Sequence, residues 1–400
     1  MLQRLSRRVR ELPASQTLAL AAQARALKAK GVPVIDFGLG EPDFNSPLAA
    51  SEGARAAMER GDTHYPPVNG TPTLKQAILT KLGQRTGWEA SPDEVLVSCG
   101  AKHVLMNLFL ALLDEGDEAV FPSPYWVSYP AMIQLAGGRP IPVETRAADG
   151  FRIDPAAVEA ALTPRTKLLL LNSPNNPTGA VADPDDLRAV VRLALERGVF
   201  VISDEIYGEL VFGGATHLCA FQVDDPRRRE QVIVVDGVSK TYAMTGWRIG
   251  WAVGPKDVIA AAGKLQSQST SGACSVAQAA AAAALEGADA EVKTMHAAFA
   301  RRREVMLAEL RKIPGAVVPE ARGAFYAFPD LSAYFGRSHE GRSITGSAAL
   351  SQLLLEKAHV ALVAGESFGA DAHLRLSYAL DEASIREGVG RIARVLSEVR

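Results

Sequence analysis

VISDEIYGELVF (201–212) and, after a polar break, VIVVDGVSKTYAMTGWRIGW (232–251) are apolar runs that each give way to polar groups. Asp204 closes the first run; Asp236, Ser239 and Lys240 follow the second. Continuous apolar runs of this length suit strands buried on both faces of a parallel sheet. Repeated βα units end their parallel strands on one edge, and such sheets bind ligands at those carboxyl ends. Asp204 and Lys240, far apart in sequence, are therefore placed to face one pocket. A carboxylate and a strand-end lysine in one pocket suggest pyridoxal phosphate, the lysine forming a Schiff base and the aspartate pairing with the pyridinium nitrogen. For these two residues taken alone, a helix-capping aspartate and a surface lysine are the simpler reading.

The flanking sequence repeats the pattern. VLVS (95–98), EAVF (118–121), RPIPVE (139–144), KLLLLN (167–172), VFVISD (199–204) and QVIVVD (231–236) read as strands with helical segments between most of them, and GWAVG (250–254) as an antiparallel return. This order predicts an α/β fold with a mixed, mainly parallel sheet between helices and its loops on one edge. Before it lie a helix over 14–30, a short strand from Val34 to Phe37, the loop GLGEPDFNSP (38–47) and a helix over 48–60. Residues 257–286 read as one helix around the alanine run 279–284, since alanine has the best helix propensity. A helix over 288–312 leads to a smaller α+β part with strands in GAFYAF (323–328), HVALV (359–363) and HLRLSYA (373–379), closed by a helix from Glu382 to Val399. The expected organisation is an N-terminal arm with part of the small domain (1–45), a large cofactor-binding domain (46–287) and a small C-terminal domain (288–400).

Four hundred residues exceed one ordinary core, in keeping with two domains. The net charge of −2 offers nothing to nucleic acid or another polyanion. No apolar run approaches the roughly 20 residues of a membrane span. MLQRLSRRVRELP (1–13) is basic but has no apolar stretch, which makes it an amphipathic arm rather than a secretory signal. Cys99, Cys219 and Cys274 show no CxxC and no metal-ligand spacing, which suits a reducing compartment. The expectation is a soluble, cytoplasmic protein without a metal.

The loops at the predicted strand ends carry the chemistry. Ser98–Lys102 joins a strand to a helix; backbone N–H groups there can hold phosphate, although every βα unit has such a turn. Tyr125 and Trp126 can stack on a planar ring or simply pack in the core. In SPNNPTG (173–179) two prolines and a glycine fix the loop, and Asn176 offers an amide donor to a phenolate-type oxygen. In SDEIY (203–207) Asp204 and Tyr207 point to one side of a strand-to-helix junction, the one to keep a ring nitrogen protonated, the other to donate to the ring oxygen. Lys240 can act as nucleophile and base once desolvated, and Arg248 supplies a fork of donors for phosphate.

With these residues in place the chain resembles the class I aminotransferases of pyridoxal phosphate fold type I, and among them the bacterial aspartate aminotransferase subgroup that contains thermophile enzymes. The matching stretches run almost end to end: GEPDF (40–44), YPPVNGTPTL (65–74), SPYWVSYP (123–130), NSPNNPTGAV (172–181), SDEIY (203–207), SKTYAMTGWRIG (239–250), GAFY (323–326) and RLSYA (375–379). The resemblance implies that Lys240 is the Schiff-base lysine and moves the α-proton, with Asp204 the pyridinium partner. Asn176 and Tyr207 become donors to the ring hydroxyl, and Trp126 the stacking aromatic. Gly100, Ala101, Lys102 and Arg248 form the phosphate side. Tyr65 is lent to that side by a partner subunit, which implies a homodimer. Arg375 grips the substrate α-carboxylate and Gly40 closes over it; Ser15 and Thr17 line the pocket. Lys102 meets a distal carboxylate, which favours L-aspartate and 2-oxoglutarate by a ping-pong mechanism. Broader-specificity, prephenate, aromatic or alanine aminotransferases and carbon–sulfur lyases on the same fold are the alternatives. Pro13 stands where relatives that use prephenate carry a lysine, which weakens that alternative. Gly237 stands where many members carry a phosphate-binding serine. A nicotinamide dehydrogenase is set aside, because Gly38-Leu39-Gly40 lacks the third glycine of GxGxxG.

Overall fold

The computed structural model describes residues 4–12 and 16–400. Seven strands form the central sheet: β1 (Val95–Cys99), β2 (Glu118–Ser123), β3 (Arg139–Glu144), β4 (Thr166–Asn172), β5 (Phe200–Asp204), β6 (Val232–Gly237) and β7 (Ile249–Val253). Their spatial order is β1-β7-β6-β5-β4-β2-β3. Pairing is parallel from β6 through β5, β4 and β2 to β3, while β7 runs antiparallel to both β1 and β6. Side chains alternate between the two faces. Leu169, Leu171, Val201 and Val234 enter one core and Leu168, Leu170, Ile202 and Ile233 the other. Both faces are therefore covered, which is why these strands are apolar throughout rather than alternating. Each such leucine or valine contributes about 1.5–3 kcal/mol by leaving water. RPIPVE forms β3 at the sheet edge, where prolines are tolerated because no neighbour needs their missing N–H.

The helix expected over 257–286 is two helices, Lys256–Ser269 and Ser275–Gly287. Ser271 (φ 58°) and Gly272 (φ 116°) end the first in left-handed conformations, and the N–H groups of Thr270 and Ser271 both bond Gln266 O. The second helix lies on Leu48–Glu59, where a β-carbon at Gly53 would sit 2.6 Å from Ala283 Cβ. The alanine run is thus a close helix–helix contact.

The helix Asp289–Leu310 leads to a second core containing Phe299, Phe325, Tyr326, Leu376 and Ile392. Its antiparallel sheet has the order Val363–Ala364, Leu374–Ser377, Tyr326–Ala327. Ile35–Asp36 pairs in parallel with Val360–Ala361, which ties the N-terminal strand to this C-terminal core. Among the described residues no helix is long and apolar enough to cross a membrane, and no histidine, cysteine or carboxylate cluster could hold a metal.

The topology places the site. β1, β2, β4, β5 and β6 end on one edge. Antiparallel β7 starts there, so Arg248, just before it, joins the residues that follow the other strands.

Candidate active site

Asp204, the last residue of β5, is 4% exposed. Its Oδ2 accepts from the Tyr129 hydroxyl at 2.6 Å, and its Oδ1 accepts more distantly from Ile206 N at 3.4 Å. Burial outweighs both bonds and pushes the carboxyl up to about 6. The Asn172 side chain donates to Asp204 O and accepts from Asn176 N, each at 3.0 Å, so the SPNNPTG loop is hung from the end of β5.

Lys240 follows β6 and donates through Nζ to Gly40 O. The ring centroids of Tyr207 and Phe325 each lie 5.8 Å from Nζ. Desolvation, and next the charge of Arg375, bring the lysine down to about 8, with Glu41 opposing. The Tyr207 hydroxyl is 2.8 Å from that of Tyr326. Arg375 is 5% exposed. Its Nη1 donates to Asn176 Oδ1 at 3.0 Å and its Nη2 to Gly38 O at 2.8 Å, while its buried Nε has no partner. The ring of Tyr326 lies 4.6 Å from the guanidinium carbon. Lys240 and Arg375 thus bond carbonyls two residues apart on the same loop.

Gly100 caps the helix Ala101–Leu112 with φ 83°, and a β-carbon there would come within 2.7 Å of Arg248 Nη2. Only glycine leaves space between this helix start and that guanidinium. Arg248 is itself left-handed (φ 59°) and donates to Thr245 O at 2.9 Å. The Lys102 ammonium lies 4.9 Å from the Trp126 ring; although the residue as a whole is exposed, desolvation and then Arg248 lower its pKa. Gly237 has no room for a side chain, since a β-carbon would meet Ile249 O at 2.9 Å and Gly250 Cα at 3.0 Å. A serine at this position would need the β6–β7 pair to move apart.

Lys240, Asp204, Tyr207, Asn176, Arg375 and Gly40 thus come together, with Gly100, Ala101, Lys102, Trp126 and Arg248 on the same edge. Tyr65 does not join them: it is 93% exposed. Ser15 and Pro13 lie outside the described residues, and so does the side chain of Thr17. Two members of the site, Tyr129 and Tyr326, do not stand out in the sequence. The only hint was their place in SPYWVSYP and GAFY, beside residues that do.

Residues 32–392 match the family model described as aminotransferase class I and II. The chain belongs to this family, whose class I members use pyridoxal 5′-phosphate to pass amino groups between amino acids and keto acids. It is 46% identical to an aspartate aminotransferase of Streptomyces avermitilis, over 99% of this chain and 97% of that one. It is 44% identical to a probable aspartate/prephenate aminotransferase of Aquifex aeolicus, over 99% of both. Among solved structures, aspartate aminotransferase from Thermus thermophilus with maleate superposes with a TM-score of 0.91 at 42% identity, covering 98% of this chain and 99% of that one.

Proposed function

We propose that this aminotransferase moves the amino group of L-aspartate to 2-oxoglutarate, forming oxaloacetate and L-glutamate in two half-reactions at one site. The observation that carries it is the loop 38–40, whose carbonyls receive both Lys240 and Arg375. A nucleophilic amine and a carboxylate clamp thereby meet at one loop. Full-length relatives at 40–46% identity named aspartate aminotransferase support the choice of aspartate.

The donor set fits pyridoxal phosphate. Lys240 offers an amine brought down to about 8, so that half of it is neutral there, and Asp204 a buried carboxylate for the ring nitrogen. Asn176 and Tyr207 offer donors to the ring hydroxyl, and Trp126 a face. Gly100, Ala101 and Lys102 at a helix N-terminus, with Arg248, would hold the phosphate. When bound, the cofactor supplies an electrophilic carbonyl for the amino group and a ring that takes up the charge left by the α-proton. The protein does the rest. Lys240 Nζ would take the α-proton of the amino acid and hold it as the local acid. Arg375 turns its unmatched Nε and its fork toward the α-carboxylate, where a planar bidentate pair fixes orientation. Gly40, whose carbonyl faces Lys240, completes the pocket.

Capture of the cofactor should report the state of Lys240. Only the unprotonated amine attacks a carbonyl, and desolvation favours that form. The rate at which the cofactor-free protein takes up pyridoxal phosphate covalently should therefore rise with pH and reach half its plateau near 8. A midpoint near 10.5, the ordinary lysine value, would show that burial does not tune it.

Lys102 is assigned the distal carboxylate. Lys102→Ala should lower kcat/KM for aspartate about tenfold or more relative to alanine, in line with the loss of one charge-assisted contact. Equal losses for both amino acids would leave Lys102 with the phosphate alone. The reading as a whole is tested by mixing the loaded enzyme with single amino acids and following the cofactor's absorbance. Aspartate and glutamate should convert it to the amine form, and conversion by neither would overturn the assignment; prephenate is tried as acceptor in the second half.

The proposal includes a homodimer in which Tyr65 enters the neighbouring site. Its exposure supports this, as does an open cleft of about 740 Å³ beside Arg248, lined also by Ser46, Cys99 and Trp247. It also includes the division into a large domain (46–287) and a small one (288–400, with part of 1–45), which the core around Phe299, Leu376 and Ile392 and the Ile35–Val360 pairing support, with Ile206, Tyr207, Leu210 and Phe212 of the large domain packing into that core. Cytoplasmic residence is supported by three free cysteines.

A further inference from the structure

We propose that Tyr129 is a positioning residue for Asp204, its hydroxyl holding the carboxylate in one orientation at the end of β5. The proposal rests on the reading of Asp204 as partner of the cofactor's ring nitrogen.

Tyr129 opens the helix Tyr129–Leu135 and is 2% exposed. Its ring is wedged edge-on against Phe121 (centroids 6.3 Å apart) and Trp126 (5.3 Å), and its N–H bonds Trp126 O at 3.0 Å. The hydroxyl reaches across to Asp204 Oδ2 at 2.6 Å, the length of a charge-assisted bond. The rival donor, Ile206 N, is at 3.4 Å and contributes little. Glu205, next in sequence, does not compete for the Tyr129 hydroxyl, because its own carboxylate is engaged by Ser203, His217 and Ala220 N and faces Arg85. Lys240 is the cation nearest in effect.

Burial and the charge of Asp204 both hold the Tyr129 hydroxyl well above its ordinary pKa, so it stays a donor. A tyrosine that merely filled this space could be phenylalanine, because a buried hydroxyl without an acceptor is costly. The same ring also touches Trp126. The residue assigned to the face of the cofactor and the residue assigned to its edge therefore share one anchor. Nothing in the sequence joins Tyr129 to Asp204, 75 positions on.

Tyr129→Phe keeps the ring and removes the bond. Protein grown on carboxyl-labelled aspartate gives an NMR titration of Asp204 in the cofactor-free full chain, assigned by its disappearance in Asp204→Asn. In Tyr129→Phe the midpoint should move upward from about 6, because the bond that favours the charged form is gone. A ring-fluorinated tyrosine at 129, a stronger donor, should move it downward. This second protein keeps the test open if the phenylalanine variant folds poorly. In the loaded enzyme kcat should fall about tenfold with KM for aspartate changed less than about twofold, since Tyr129 does not touch the amino acid. An unmoved titration in both variants overturns the proposal. A titration that moves, with a loaded enzyme indifferent to Tyr129→Phe and to Asp204→Asn alike, overturns instead the reading of Asp204 beneath it.

Discussion

Lys240→Ala is expected to end transamination, with kcat falling about ten-thousandfold or more. The size follows from the two tasks assigned to one atom. In the proposed reading Nζ would anchor the cofactor as nucleophile and move a proton as base; the second task alone contributes roughly a hundred- to ten-thousandfold. No neighbour is placed to take over. Lys102 stands over Trp126, Arg375 is bonded to Asn176 and Gly38, and Arg248 to Thr245. The aspartate–tyrosine–asparagine side of the site and the Gly100 turn do not depend on Lys240. The variant should therefore still bind pyridoxal phosphate, with the absorbance of the free aldehyde. Borohydride reduction followed by denaturation separates the tasks: the parent protein keeps the cofactor mass on the peptide carrying residue 240, and the variant keeps none. Turnover within a hundredfold of the parent, or a reduced adduct on another lysine, would remove Lys240 from both roles.

How much of this was legible in the sequence depends on how far the relevant interaction reaches. The strands of the central sheet could be read because burial on both faces writes itself into each strand separately: KLLLLN needs no knowledge of its neighbours. Asp204 was legible for the related reason that it closes such a run, and Asn176 and Lys240 because they lie in the polar loops that follow one. The break at Ser271–Gly272 was passed over for the alanine run that follows it, although QSQSTSG (266–272) is a polar stretch ending in a glycine stop signal. GAFYAF shrank to Tyr326–Ala327 because only these residues meet Leu376 and Ser377. Pair contacts lie furthest from the sequence. Arg375 to Asn176 spans 199 residues and Tyr207 to Tyr326 spans 119. The expected roles of Arg375 and Tyr207 came from motifs, whereas Tyr326, which abuts both, and Tyr129, which bonds Asp204, are ordinary core aromatics until the chain is folded.

Asp204→Asn is expected to lower kcat about a hundred- to a thousandfold, the usual cost of removing one preorganised electrostatic partner from a developing charge. KM for aspartate should change little, because Asp204 is assigned to the cofactor. The same substitution should make the cofactor-free protein more stable at neutral pH. Burial raises the Asp204 carboxyl from 3.8 to about 6, so the folded chain holds this proton more tightly than the unfolded chain. Stability contributed by the group is then complete below 3.8 and is lost as pH rises to about 6. Above that the ionised group costs about 3 kcal/mol, in order of magnitude. An asparagine of nearly the same shape does not titrate, so the variant's melting temperature should lack this decline and exceed the parent's at pH 7. Loading with pyridoxal phosphate should reverse the order of benefit: a protonated ring nitrogen offsets the buried charge of Asp204 but meets only an amide in the variant, so the parent should gain more in melting temperature. Equal gains on loading, together with a near-normal kcat, would leave Asp204 a buried structural carboxylate. A stability cost that binding removes is what a residue kept for the cofactor's charge should show.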